Sequence, residues 1–400
     1  MELHVNTDTD PEIAQGPELV ERKGLGHPDS ICDALAERLS SALCRFYFER
    51  FGTILHHNVD KALLWGGAAK AAFGGGEVTA PMELFLAGRA VAQAGGVTVP
   101  VNDLAVQTTL DWFKINLPNV DTERHLKIHC LVRPTSLDLS DLYARQRRTG
   151  RWLANDTSCG VGYAPESPLE HMVLTLEGEL NSPAFRARNP AHGEDVKIMA
   201  LAHSGRVQLT VARAFVGRHV QSLDHYLALK AQLSMEAAKI ADITGAGGEV
   251  AVGVNVADEP ATGSIYLTVT GTSAEAGDDG QAGRGNRING LITPYRPMSI
   301  ESVAGKNPVT HIGKLYNLVA RDIARDIVVR IPAVHAARCF LMSKIGSPID
   351  DPSIVDIRVA VAEKMPAERL TPQVRNVVWN RLVRLEEYSE RAVKGESLLA

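Results

Sequence analysis

Cysteine is scarce and scattered: the five in 400 residues (Cys32, Cys44, Cys130, Cys159 and Cys339) include no C-x-x-C pair. A disulfide framework or a structural zinc site therefore does not fit, and a reducing cytoplasm does. Long apolar runs are missing too. No stretch approaches the ~18 residues needed to cross a bilayer. The polar, acidic N-terminus has neither the basic nor the apolar region of a secretory signal. A cytoplasmic protein with no membrane partner is expected. Positive charge is not in excess: the net charge is −5 and the pI lies near 6.2. A duplex-DNA binder would show a basic balance or stripe, so no nucleic-acid partner is expected. Any anion must be met by local cations. The usual nucleotide and hydrolase motifs are also absent. There is no G-x-x-x-x-G-K-[ST], no complete G-x-G-x-x-G, no G-x-S-x-G and no H-E-x-x-H.

What is present is an ordinary globular composition, 45% hydrophobic and 22% charged, long enough for two or three subdomains. Apolar residues recur at helical spacing over 29–50, 222–242 and 311–330. Asp29 or Ser30 can cap the first of these helices, behind Pro28. Alternation with a period of two marks strands at 124–133, 207–211, 250–256, 265–269 and 355–361. Such alternation suits sheets with one wet or lightly covered face. The expected class is therefore α+β, with mixed sheets carrying helices on one side. Glycine-rich breaks near 145–155 and 245–260 suggest subdomain boundaries of 1–148, 149–249 and 250–400.

The most informative stretch runs from Gly271 to Pro297, GTSAEAGDDGQAGRGNRINGLITPYRP. Six glycines fall between Gly271 and Gly290, too many for a helix or strand interior. Asp278, Asp279, Arg284 and Arg287 sit among them. That mixture suits a loop around a phosphate chain and its cation; a solvated linker is the alternative. KGLGHPD, residues 23–29, puts His27 and Asp29 at a helix N-terminus, where phosphate oxygens are welcome. His27 would donate to the anion and Asp29 would hold a divalent cation, unless both merely cap and turn. AGKNPVTH brings Lys306 and His311 to a second helix start, and HHNVD offers Asp60 as a substrate-lining residue. LANDTS carries Asp156 on a loop able to bind a ribose or an ammonium. GEDVK sets Asp195 and Lys197 two apart on a strand, which could equally be a surface ion pair. Together these clusters favour a metal–polyphosphate enzyme.

These stretches, with FGTILHHNVD (51–60), FGGG (73–76), LANDTSCGVGYAP (153–165) and GKNPVTHIGKLYN (305–317), closely resemble archaeal-type S-adenosylmethionine synthetases (methionine adenosyltransferases) over nearly the whole chain. The resemblance implies joining of ATP to L-methionine, with release of triphosphate that is then hydrolysed to pyrophosphate and phosphate. It implies Mg²⁺, and activation by K⁺ as in many members. It also implies three similar subdomains about a pseudo-threefold axis, in a homodimer with active sites at the subunit interface. By motif position, His27 looks like the histidine on the leaving triphosphate and Asp29 like a Mg²⁺ ligand. Asp156 resembles the residue that holds the methionine ammonium. Asp195 and Lys197 resemble the pair near ribose and phosphate, and Asp279, Arg284 and Lys306 fall where the family grips adenosine and triphosphate. The K⁺-binding glutamate of the remote bacterial and eukaryotic branch has no match, since Ala68 follows Gly66-Gly67. Archaeal members carry G-x-G-S-x-D after the strand ending at Val132. Here RPTSLD keeps Ser136 and Asp138 as substrate residues but puts Arg133 and Thr135 in place of the glycines. Cys159 stands where an aromatic is common. Both departures predict altered loop gating or thioether selectivity.

Overall fold

The computed structural model describes residues 1–8, 16–135, 151–245, 248–361 and 365–396. Ser136 and Asp138 lie outside these. Among the described residues, three mixed sheets share one pairing scheme. Each has a central antiparallel pair of strands. One edge strand lies parallel to the pair's second member and another lies antiparallel to its first. In the first sheet the pair is His57–Trp65 and Met82–Ala90, edged by Leu126–Pro134 (parallel) and Gly280–Gln281. In the second it is His192–His203 and Arg206–Val216, edged by Glu249–Val254 (parallel) and Glu18–Lys23. In the third it is Val334–Ser343 and Ile354–Val361, edged by Glu2–Asp8 (parallel) and Ser158–Ala164.

A helix precedes each pair: Pro28–Phe51, Pro168–Leu180 and Ile312–Arg330. The antiparallel edge strands do not stay with the helix they precede. Glu18–Lys23 comes just before the first helix yet joins the second sheet. Ser158–Ala164 comes just before Pro168–Leu180 yet joins the third. The chain is thus laced across its own layers. One continuous apolar core is shared by the first and third sheets and by the Pro28–Phe51 and Ile312–Arg330 helices. A separate core lies between the second sheet and the helices Pro168–Leu180 and Leu223–Thr244. Every residue from Ile312 to Ala320 is buried, as a helix enclosed on all sides must be.

The α+β class with mixed sheets is what alternation predicted, and each helix and strand that periodicity marked has a counterpart close by; helices such as Val101–Asn116, Pro168–Leu180 and Ala367–Leu382, and strands such as His57–Trp65, Met82–Ala90 and His192–His203, were not marked. Two strands are shorter than expected, for local reasons. The 250–256 strand stops at Val254, because Asn255 adopts φ +41°. The Asn255 side chain there replaces a strand neighbour, accepting from Arg213 N (2.7 Å) and donating to Arg213 O (3.0 Å). The 265–269 run pairs only at Leu267–Thr268. Just beyond, the buried Glu275 carboxylate takes the N–H of Val269 (2.6 Å) in place of a strand partner.

Candidate active site

The opening of the Pro28–Phe51 helix is built from both sides. Gly24 N and Gly26 N donate to Val196 O (2.6 Å) and Glu194 O (3.0 Å), laying the KGLG approach along the second sheet. Pro28 occupies the first helical turn, so the preceding residue becomes the cap. That residue is His27, not Asp29 or Ser30 as sequence suggested. Its Nδ1 accepts from Asp29 N at 3.2 Å. Ser30 Oγ instead donates to Lys23 O (3.0 Å). An accepting Nδ1 leaves the ring proton on Nε2, making His27 a neutral donor. Burial holds its pKa down to about 4, opposed by the Asp29 carboxylate and assisted by Lys23 and Lys197. It is therefore uncharged at neutral pH.

Asp29 and Asp33, one turn apart on this helix, face the glycine-rich loop. Gln281 N donates to Asp29 Oδ1 (2.9 Å) and Gly283 N to Asp33 Oδ1 (2.8 Å). Contact is so close that a Cβ on Gly280 would lie 2.2 Å from Pro28 O, so only glycine fits. Lys23 Nζ binds Asp29 Oδ2 (2.8 Å) and Arg284 O (2.7 Å). Burial pushes Asp33 up to about 7, against its bond from Gly283 N and the pull of Arg287. Lys197 stands beside Lys23 in register on the neighbouring strand, 3.4 Å from Glu21.

Asp195 and Lys197 form no ion pair in this structure. Asp195 is buried and accepts from Ser273 N (2.9 Å), Ser273 Oγ (2.7 Å) and Tyr266 OH (3.0 Å). Burial raises its pKa to about 6 despite these donors. It ties the start of the loop to the second sheet. Asp279, exposed, accepts from Gly66 N (2.8 Å) and ties the loop to the first sheet. Arg284 is exposed at the rim.

A second cluster gathers at the Ile312–Arg330 helix. His311 caps it through Nδ1, accepting from Gly313 N at 3.2 Å. Burial holds His311 well below its ordinary pKa, reinforced by Lys306, Lys314, His56 and Lys61. Its Nε2 lies 3.8 Å from Asp156 Oδ2. The Asp156 loop is brought there by the bond from Asn155 N to Thr310 O (3.1 Å). Lys306 is buried, its ammonium paired with Glu301. Asp60 binds Lys61 Nζ (2.6 Å) on the strand between the two clusters. That strand bridges Lys306 at Asn58 and pairs with Gln281 at Leu63. Five residues of strand, roughly 17 Å of rise, separate these two pairing points.

The structure thus brings His27, Asp29, Lys197, Arg284, Asp195 and Asp279 to one end, and Lys306, His311, Asp156 and Asp60 to the other. Sequence reasoning did not single out Lys23, Asp33 or Glu301 as site residues. Asp33 carried a signal, standing four residues after Asp29. Glu301, in an irregular segment, carried none. Beneath the loop lies a cavity of about 380 Å³, lined by Lys23, Asp33, Glu37, Arg287 and Glu301 among others.

Asp29, whose two oxygens already accept from Gln281 N and Lys23 Nζ, could hold a divalent cation only together with a ligand's own oxygens. Mg²⁺ in phosphoryl sites is commonly bound through one or two carboxylates plus substrate phosphates. Among the described residues no cluster of three or more His, Cys, Asp or Glu could enclose a metal alone. The Lys23 ammonium now sits on Asp29 Oδ2, so that oxygen already faces a cation.

The chain is similar to known proteins over nearly its whole length. A family model described as S-adenosylmethionine synthetase (AdoMet synthetase) matches residues 3–396. A probable S-adenosylmethionine synthase of Aquifex aeolicus is 47% identical over 393 residues, covering 98% of this chain and 97% of that protein. The S-adenosylmethionine synthase of Methanothermobacter thermautotrophicus is 44% identical over 385 residues, covering 96% and 95%. Among solved structures, an unusual S-adenosylmethionine synthetase from Campylobacter jejuni superposes with a TM-score of 0.59 at 13% identity, covering 95% of this chain and 94% of that one. At that identity the likeness is one of fold.

Proposed function

The chain belongs to the S-adenosylmethionine synthetase family and synthesises S-adenosylmethionine, and from that premise we propose how its own residues carry the reaction. Methionine sulfur, a neutral soft nucleophile, attacks ribose C5′ in line with the triphosphate oxygen that leaves. The sulfur carries no proton to remove, so no general base is needed. What the protein must supply is orientation and fixed positive potential where charge develops on the departing oxygen.

The observation that carries this reading is the His27 cap. A neutral imidazole bonded through Nδ1 presents its Nε2–H, at a helix N-terminus that already favours phosphate. His27 donates that hydrogen to the leaving triphosphate, and Lys197, Arg284 and Lys306 share its remaining charge. Asp29 holds Mg²⁺; when bound, this ion neutralises phosphate oxygens. Asp279 and Asp195 serve the nucleotide; Ser136 and Asp138, outside the described residues, are assigned to the substrate by family resemblance alone. Asp156, partly exposed beside His311, receives the methionine ammonium, and Asp60 and His311 line the same end. After transfer, the same cations hold the triphosphate for hydrolysis to pyrophosphate and phosphate.

Two features support the assembly implied by family resemblance. The threefold recurrence of one pairing scheme is what a pseudo-threefold axis through three subdomains would produce, with edge strands exchanged across the 1–148, 149–249 and 250–400 divisions. The outer face of the first sheet leaves Leu63, Trp65 and Leu131 between 45% and 58% exposed. An apolar patch of that kind marks a protein interface, and a second copy of this chain would cover it. This assembly is a homodimer with its active sites at the interface, in the cytoplasm. The test is one assay: ATP, methionine and Mg²⁺, with and without K⁺, read by product mass. S-adenosylmethionine with pyrophosphate and phosphate, formed only when both substrates are present, is expected. Phosphate release from ATP without methionine would defeat the mechanism.

A further inference from the structure

Beneath Lys306 lies a buried ion pair that the reaction itself does not use. Lys314 is fully buried and Glu37 nearly so. All three ammonium donors of Lys314 are engaged: Glu37 Oε1 (2.8 Å), Glu37 Oε2 (2.7 Å) and the carbonyl oxygen of Lys306 (2.9 Å). Glu37 Oε2 in turn accepts from Gly305 N (3.0 Å). The pair therefore grips the N–H of Gly305 and the C=O of Lys306. Ser40 Oγ lies 3.3 Å from the same Lys306 carbonyl. Gly305 has φ +74°, and a Cβ there would lie 2.4 Å from Val59 O, so the turn has a single conformation to hold.

Two physical points set this pair apart from ordinary packing. Charges taken into an apolar core lose hydration that their attraction barely repays, so an apolar pair would stabilise the fold as well or better. Lys314 also lies in the first turn of its helix, where the helix dipole disfavours a cation. An apolar pair could not bond to the Gly305–Lys306 peptides. Glu37 sits on the helix that His27 caps, and Lys314 on the helix that His311 caps, so the pair links the two helices that begin at the site.

We propose that Glu37 and Lys314 are positioning residues that clamp the Gly305–Lys306 turn and so hold the Lys306 ammonium in place for the triphosphate. This rests on the reading of Lys306 as a triphosphate-binding residue. The test compares wild type, the double variant Glu37→Leu/Lys314→Met, Glu37→Asp and Lys306→Ala. Each is scored by Tm, kcat, KM for methionine, and inhibition by inorganic tripolyphosphate.

The double variant should fold, with a Tm lowered because Gly305 N and the Lys306 carbonyl each lose a buried partner. Its kcat should fall roughly 10- to 100-fold, as for a catalytic group displaced by about 1 Å. Tripolyphosphate inhibition should weaken while KM for methionine stays within about twofold, a split that general loss of structure would not give. Glu37→Asp keeps the charge for Lys314 but withdraws from Gly305 N, and it should show the same split. It decides the matter if the double variant does not fold. A folded double variant, or a folded Glu37→Asp, with wild-type turnover and tripolyphosphate inhibition overturns the clamp. Wild-type behaviour of Lys306→Ala would instead overturn the role of Lys306 itself. An impaired Lys306→Ala beside a fully active double variant overturns the clamp alone.

Discussion

Two of the three helices that lead into a central strand pair begin with histidine, and the third begins with serine. At Pro168–Leu180, Ser167 and Glu170 form a reciprocal capping box. Glu170 N donates to Ser167 Oγ (3.0 Å) and Ser167 N to Glu170 Oε2 (2.7 Å). Both side chains also have partners beyond the helix: Ser167 Oγ donates to Glu18, and Glu170 accepts from Tyr163 OH (2.8 Å) and Arg296 Nε (2.9 Å). His27 and His311 cap with one ring nitrogen, each at 3.2 Å from the N–H two residues on. The other nitrogen is left as a donor for whatever lies in front. The serine end closes a structural element, whereas the histidine ends leave a donor facing the site. The two histidine ends also differ from each other. His27 stands beside Asp29, with Lys23 and Lys197 to the side, the end proposed for phosphate. His311 is set among Lys306, Lys61 and Lys314, each paired with a carboxylate, and its Nε2 faces Asp156.

The largest expected effect tests whether the His27 donor differs in kind from a cap. His27→Ala should lower kcat by about 10²- to 10³-fold, the loss seen when one oxyanion-type donor is removed. His27→Asn should restore the cap and the melting temperature without restoring the rate. A kcat for His27→Ala within tenfold of wild type would erase the distinction. A smaller effect is expected at the other end, where Glu301 occupies the Lys306 ammonium. Glu301→Gln should free Lys306 and tighten ATP binding by about 1 kcal/mol, roughly fivefold, as for one charge-assisted bond no longer competed for. Calorimetric titration with ATP checks it, and unchanged affinity would mean that Glu301 does not compete. The smallest effect belongs to the serine end. Ser167→Ala should cost about 1 kcal/mol of stability in denaturant unfolding, with kcat/KM unaltered; a loss of activity would show that this terminus also serves the site.

Local patterns carried much of the fold. The spacing of Ile31, Leu35, Leu39 and Leu43 marked the first helix because the same residues line its buried face. Alternation marked 207–211 and 355–361, within the strands Arg206–Val216 and Ile354–Val361, because each has a buried side. Where a side chain replaced a strand neighbour, as Asn255 and Glu275 do, periodicity ran past the true end. At the site, motif stretches pointed to His27, Asp29, Lys306 and His311, since glycine, proline and small polar residues at helix starts are visible in one dimension. The buried hold on Asp195 and the pairing of Lys306 with Glu301 were not visible. Each depends on which loop is folded back over which strand.

The sequence by itself determined the chemistry available: five scattered cysteines with no C-x-x-C pair, no apolar run of bilayer length, and loops that carry carboxylates, lysines and histidines beside glycine. It determined some of the helices and strands too, where burial of one face imposes a period that side chains must obey. Only the tertiary structure decided which of those groups meet. Gln281 reaches Asp29 across 252 residues, and Lys314 reaches Glu37 across 277. Edge strands cross into sheets other than the one their neighbouring helix covers. Hydrogen bonds and ion pairs act over a few ångströms regardless of distance along the chain, so the site exists only once the three sheets have been laced together.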